Sequence, residues 1–177
     1  MDDLFISIIA IGLSVILMFI FPLMTMSDRT DDISQLSVKI ATSEFIEDVR
    51  TTGKITSDRY GKFLEALGST GNTYNIELEV KVLDENPGKK ITGTSNYTKI
   101  GENVYYSIYT SQIENHLYNN NENNTFYLKE GDIISVNVKN SNQTMSQQLK
   151  NFFYAVVGSD TYTISAAQTE MVTATGR

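Results

Sequence analysis

The chain has 177 residues, with 14 Lys+Arg against 21 Asp+Glu, for a net charge of −7. It contains no Cys, no Trp, two Pro and a single histidine, His116. Those counts exclude disulfide frameworks, thiolate metal sites and cysteine nucleophiles, and they leave no histidine cluster for zinc. The acidic balance argues against nucleic acid as a partner, since that binding needs a basic field.

The mean hydropathy of −0.20 averages a very apolar N-terminus with a polar remainder rich in Asn, Thr, Ser and Tyr. From Leu4 to Ser27 no residue is charged. At about 1.5 Å per residue, Leu4–Met26 spans roughly 34 Å as a helix, against about 30 Å of hydrocarbon in a bilayer. Ser7 and Ser14 can return their hydroxyls to the preceding turn, and Pro22 sits late in the stretch, where a kink is tolerated.

Three readings compete for this segment. A cleaved signal peptide has a basic start, a shorter apolar stretch and a small-x-small cleavage site. Here the start is Met1-Asp2-Asp3, and Leu23-Met24-Thr25-Met26 offers no such site. A buried core helix rarely runs so long without a charge. The segment 1–27 is therefore read as a retained membrane anchor in contact with the lipid bilayer. Leu4, Phe5, Ile8, Ile9, Ile11, Val15, Ile16, Phe19, Ile20 and Pro22 form its membrane and assembly surface. Arg29 is the only nearby cation, so charge at the flanks does not set orientation. The acidic, cysteine-free character of residues 28–177 favours a single-pass topology with that head outside the cytoplasm.

The residues Ser27–Asp32 either interrupt the helix or form its first wet turns. From Asp31 to about Arg50 there is no Gly or Pro, and the pattern predicts an amphipathic helix over 31–52. Ile33, Leu36 and Ile40 share one face, whereas Val38, Ala41, Phe45 and Val49 form a rotated stripe. Either both stripes wrap one small core, or one packs on the head and the other on a neighbouring subunit. Candidate subunit contacts are Ile33, Leu36, Ile40, Phe45 and Val49. Gly53 is the predicted stop.

A short helix follows over Ser57–Leu67, capped by Ser57 or Asp58 and closed by Gly68. The period then changes to two in Ile76-Glu77-Leu78-Glu79-Val80-Lys81-Val82, a half-buried strand. Asp84–Gly88 is a turn cluster, and Lys89 to about Asn103 has no clear pattern. Tyr109, Ile113 and Leu117 are four apart, so Val104–Tyr118 is read as a helix. Asn119–Asn124 is a low-complexity loop. Thr125–Leu128 and Asp132–Lys139 read as hairpin-like strands around Lys129–Gly131, with Ile134, Val136 and Val138 inward. Thr144-Met145-Ser146-Gln147 has capping-box spacing. It opens a core helix with Met145, Leu149, Phe152, Phe153, Val156 and Val157 on one side and Gly158 past its end. A last strand begins at Tyr162 and reaches about Val172. Helices and strands do not alternate strictly, so the fold class is α+β, a mainly antiparallel sheet packed by helices.

No catalytic motif stands out. Asp28, Asp31 and Asp32 offer oxygen ligands, but without an EF-hand spacing they are read as a solvated helix start. Glu77 and Glu79 are read as the wet face of a sheet, and His116 as a surface residue. No GxSxG, P-loop, GxGxxG or HExxH is present, so neither an enzyme nor a cofactor is expected. Sequons at Asn96, Asn123 and Asn142 are no more than an Asn-rich chain supplies. Ten Tyr and eight Phe suit protein–protein contact, though they equally suit an ordinary core.

An apolar N-terminal helix, Leu4–Met26 with Pro22 late in it, continues into the Asp31–Arg50 helix and then a small head. This plan resembles type IV pilin-like proteins, nearest to the Tad-type minor pilins and pseudopilins of bacteria. The segments Glu44–Gly53 and Asn151–Tyr154 are similar to small anchored proteins encoded with such machines in low-GC Gram-positive bacteria. The chain departs from the family where prepilins carry a basic leader and often an acid five residues in; only Met1-Asp2-Asp3 precede the apolar stretch, which holds no acid. What the resemblance implies is a structural subunit of a pilus-like or secretion apparatus, partnered by copies of itself or by other pilin-like subunits, with a cell-surface filament as one destination. An anchored binding or adhesion module, or a conjugation-channel component, is the alternative.

Overall fold

The computed structural model describes residues 2–84, 90–91, 98–99, 105–119, 124–154 and 163–176. One helix runs through the whole first quarter of the chain. It comprises α1 (Asp2–Val15), a π-helical turn (Ile16–Ile20) and α2 (Phe21–Thr52). The wider turn falls just before Pro22, the second residue of α2. Proline has no N–H to donate to the preceding turn, and a local i→i+5 pattern accommodates that loss without breaking the helix. Ser27–Asp32 therefore continue the helix without an interruption, with Ser27 and Asp31 buried. Gly53 ends α2 with φ +64 and donates its N–H to Val49 O at 2.8 Å.

The head follows as β1 (Lys54–Thr56), α3 (Ser57–Gly68), β2 (Tyr74–Leu83), β3 (Lys90–Ile91), β4 (Thr98–Lys99), β5 (Tyr105–Tyr109), α4 (Thr110–Asn119), β6 (Thr125–Tyr127), β7 (Ile133–Asn140), α5 (Met145–Tyr154) and β8 (Ser165–Met171). A four-stranded sheet in the order β5-β2-β7-β8 is antiparallel throughout. Two smaller antiparallel pairs, β1 with β6 and β3 with β4, account for the other strands among the described residues. The class is α+β, as the sequence pattern indicates.

Alternation places Leu78 and Val80 of β2, and Ile134, Val136 and Val138 of β7, on the buried face of the sheet. Against them lie Val38, Phe45, Ile46 and Val49 of α2. Phe45 stacks on Phe63 of α3 with centroids 4.6 Å apart. The Tyr60 hydroxyl donates to Glu114 Oε1 at 2.7 Å, linking α3 to α4.

Several expectations are corrected. Val104–Tyr118 is not one helix: Tyr105–Tyr109 pairs with Leu83–Glu79 of β2, and the helix begins only at Thr110. The four-residue spacing holds for Ile113 and Leu117, both buried, while Tyr109 is an exposed strand end. Thr125–Tyr127 and β7 are not a hairpin, because β6 pairs with β1 while β7 pairs with β2 and β8. Gly131, at φ +95, turns the chain between the two sheets. The cap of α3 is Thr56, not Ser57 or Asp58: its extended backbone lets the hydroxyl accept from Arg59 N at 3.3 Å. The turn at Glu85–Gly88, the loop at 120–123, the sequons Asn96 and Asn123, Val156–Gly158 and Tyr162 lie outside the described residues.

Candidate functional site

Two features of the long helix single it out. The first is its apolar start, long and apolar enough to cross a membrane by length and composition. The head leaves this start bare. Leu4, Phe5, Ile8, Ile9, Ile11, Val15, Ile16 and Phe19 are exposed, as is Pro22, and Ile20 is half-buried. Apart from Ile20 and Met24, which are half-buried, the large apolar side chains over Leu4–Met26 keep 41–70 % of their surface open. The hydroxyls of Ser7 and Thr25 donate to Asp3 O and Phe21 O at 2.8 and 3.1 Å, so neither needs an external partner.

The second feature is the division of α2 into two faces. Val38, Thr42, Phe45, Ile46 and Val49 are buried against the sheet. At about 100° per residue, Ile33, Leu36 and Ile40 fall on roughly the opposite side. They are 66, 58 and 48 % exposed. Of the five candidate subunit contacts, then, Phe45 and Val49 are withdrawn: the head's own core consumes them. Ile33, Leu36 and Ile40 remain open.

Polar ties fasten α2 to the head at its lower end. Asp31 is buried, and its Oδ2 accepts from the Thr144 hydroxyl at 2.6 Å. Asp28 Oδ1 accepts from the Ser146 hydroxyl and pairs with Lys150 Nζ at 2.6 Å. Thr144 is the N-cap of α5, and the capping box forms in both directions. Thr144 N donates to Gln147 Oε1 at 2.9 Å, and Gln147 N to the Thr144 hydroxyl at 3.2 Å. The acidic cluster read as a solvated helix start is thus largely a junction, because α5 brings donors to it from a distant part of the chain. Met145 and Leu149 do not line a core there: Met145 is exposed and Leu149 half-buried, whereas Ser146 and Gln147 are buried. Higher up, Gln35 donates to Ser165 O at 2.6 Å and accepts from Ser165 N at 2.9 Å. Its side-chain amide occupies the place of a neighbouring strand at that residue of β8.

The other polar candidates are structural in their surroundings. Glu77 accepts from Asn137 Nδ2 at 3.1 Å on the outer face of the sheet. Glu79 accepts from the Ser107 hydroxyl at 2.7 Å. His116 is half-buried, edge-on to Phe126 with centroids 5.6 Å apart. Asn142 is committed to a loop tie, accepting from Thr73 N at 2.9 Å.

The two junction carboxylates are shifted in opposite senses. Burial raises Asp31 above the ordinary carboxylate value, opposed by the Thr144 hydrogen bond. The hydrogen bond from Lys150, and then that from Ser146, lowers Asp28. A raised carboxylate favours folding increasingly as pH falls through its folded value towards 3.8; a lowered one favours folding above 3.8 and loses that contribution as pH falls through its folded value. Asp31→Asn removes the first contribution and keeps the second. Denaturation midpoints are therefore expected to fall more steeply on acidification in Asp31→Asn than in the unmodified protein. Asp31→Ala is expected to cost about 1–3 kcal/mol at neutral pH, since the buried Thr144 hydroxyl loses its acceptor. Equal acid sensitivity of Asp31→Asn and the unmodified chain would contradict this assignment.

Compared with protein-family models, curated proteins and solved structures, the chain matches none.

Proposed function

We propose that the chain is a membrane-anchored structural subunit of a bacterial pilus-like or secretion apparatus, working by assembly through its N-terminal helix. The observation that carries this reading is the pair of opposed faces on one continuous helix. The head buries one side of α2, and the other stays apolar at Ile33, Leu36 and Ile40 beyond the bare Leu4–Met26 stretch. Ile40 lies about 21 Å past Met26 along the helix, too far for acyl chains to cover it when Leu4–Met26 fills the bilayer. A neighbouring subunit supplies the missing apolar surface, as the resemblance to type IV pilin-like proteins implies, and the head then stands outside the cytoplasm.

Substituting Asp at Ile33, Leu36 and Ile40 together is expected to leave the head folded, since none is buried, while abolishing multimers in cells that also express the natural partners. Cross-linking followed by gel analysis reads the outcome. Multimers at the unmodified level would sink the assembly reading.

A tethered binding or adhesion module is the second reading. It is favoured by an open concavity of about 700 Å³ on the outer sheet face, bordered by Glu77, Tyr109, Asn137 and Thr169. Deleting residues 1–26 separates the two. A tethered binder keeps its ligand when soluble, whereas an assembling subunit loses its assembly.

A further inference from the structure

Ser27–Asp31 follow Met26 without a break in the helix. At about 1.5 Å per residue they occupy the first ~1.5 to ~7.5 Å past the apolar stretch. The headgroup layer on each side of a bilayer is about 5–7 Å deep, from roughly 40–45 Å overall and roughly 30 Å of hydrocarbon. When Leu4–Met26 fills the hydrocarbon, this turn lies in that layer.

The head is held to the same level. Thr144 bonds to Asp31, and Ser146 and Lys150 to Asp28, all on the first turns of α5 or at its cap. A cavity of about 340 Å³ opens here, lined by Ser27, Asp31, Thr70, Asn72, Gln143 and Met145 among others. Its two loops are cross-tied, with Asn142 Nδ2 donating to Asn72 Oδ1 at 3.1 Å and Asn142 Oδ1 accepting from Thr73 N at 2.9 Å. The platform is built before any lipid meets it. Met145 is 64 % exposed at the start of α5, an apolar side chain among amides and hydroxyls. Facing bulk water, that surface gains nothing. At the boundary of headgroups and acyl chains its burial is favourable, and the surrounding amides and hydroxyls keep their hydrogen bonds to headgroups and water.

We infer that this underside of the head, centred on Met145 with the 70–72 and 142–145 loops, is a lipid-contacting surface seated in the headgroup layer; the inference rests on Leu4–Met26 spanning the bilayer. Lys150 is paired with Asp28 and Asp31 is buried, so the loops and the start of α5 offer an apolar and hydrogen-bonding contact, beside the exposed Arg29 of the same helical turn. Zwitterionic phosphatidylcholine is sufficient for it, without anionic lipid.

The chain lacks both Trp and Cys, so each reporter introduced is the sole one of its kind. The full-length Met145→Trp variant, reconstituted in phosphatidylcholine vesicles, is expected to show blue-shifted emission and lose intensity to a lipid carrying a nitroxide near its headgroup. Leu64→Trp, at an exposed position of α3, sets the water-exposed reference, and Ile11→Trp the mid-span one. Gln143→Cys with an environment-sensitive fluorophore repeats the measurement without altering Met145. Quenching at either underside position supports the seat. Water-like, unquenched signals at both, with Ile11→Trp quenched, overturn the seat and leave the anchor standing. An Ile11→Trp unquenched by lipid nitroxides at any depth overturns the anchor itself, and the seat with it.

Discussion

Gly53→Ala is expected to destabilise the head by about 3 kcal/mol. Two independent costs add at this position. At φ +64 the backbone is left-handed, which an alanine adopts at a cost of about 1–2 kcal/mol. A Cβ there would also lie inside contact distance of Ala174 O and Gly176 N, backbone atoms that cannot rotate away. Overpacking of this sort costs about 1–3 kcal/mol. The crowding exists because the C-terminal segment is sewn over the end of α2. Thr173 N donates to Arg50 O at 3.0 Å, Leu128 N to Gly53 O at 2.8 Å, and Gly176 N to Leu128 O at 3.1 Å. Gly53 thus ends the helix and admits the tail. Gly176→Ala meets Gly53 O from the other side, but its backbone is not left-handed. Only the crowding cost applies there, so the loss is expected to be smaller than at Gly53, about 1–2 kcal/mol. Urea unfolding of the full chain in detergent checks the ranking. Equal midpoints for Gly53→Ala and the unmodified protein would refute the crowded cap.

The second large effect is expected in the anchor. Val15 lies midway between Leu4 and Met26 and is exposed. An arginine at the centre of a spanning helix costs about 3 kcal/mol on insertion scales, on the order of a hundredfold in the equilibrium. Val15→Arg is expected to lower the fraction that resists alkaline extraction from membranes, and the double variant Ile11→Arg/Val15→Arg to abolish it. Val15→Leu should change nothing. Because these side chains are exposed, the head is expected to fold alike in all of them. Full membrane retention of the double variant would mean that Leu4–Met26 is not the anchor.

How far the sequence could be read depended on the range of each interaction. Leu4–Met26, Gly53, the period-two strand at Ile76–Val82 and the Thr144 capping box are written in neighbouring residues, and each appears where its pattern puts it. Tyr105–Tyr109 carries an apolar spacing that suits a helix, while pairing with β2 makes it a strand. Thr125–Tyr127 pairs with β1, a partner that nothing near it in sequence names.

The candidate site divides the same way. Ile33, Leu36 and Ile40 are legible as an apolar stripe, and so are Phe45 and Val49. Which stripe stays bare follows only from where the sheet packs, and the sheet took Phe45 and Val49. The acidic balance noted first acquires a different meaning in the structure. Charge counts say nothing of geometry, yet Asp28 and Asp31 bind α5 through contacts 118 and 113 residues apart in sequence. Local periodicity by itself determined the long helix, its stop and its apolar start. Only tertiary packing decided which face stayed exposed and which acids became structural, because burial and long-range hydrogen bonds depend on residues that no sequence window contains.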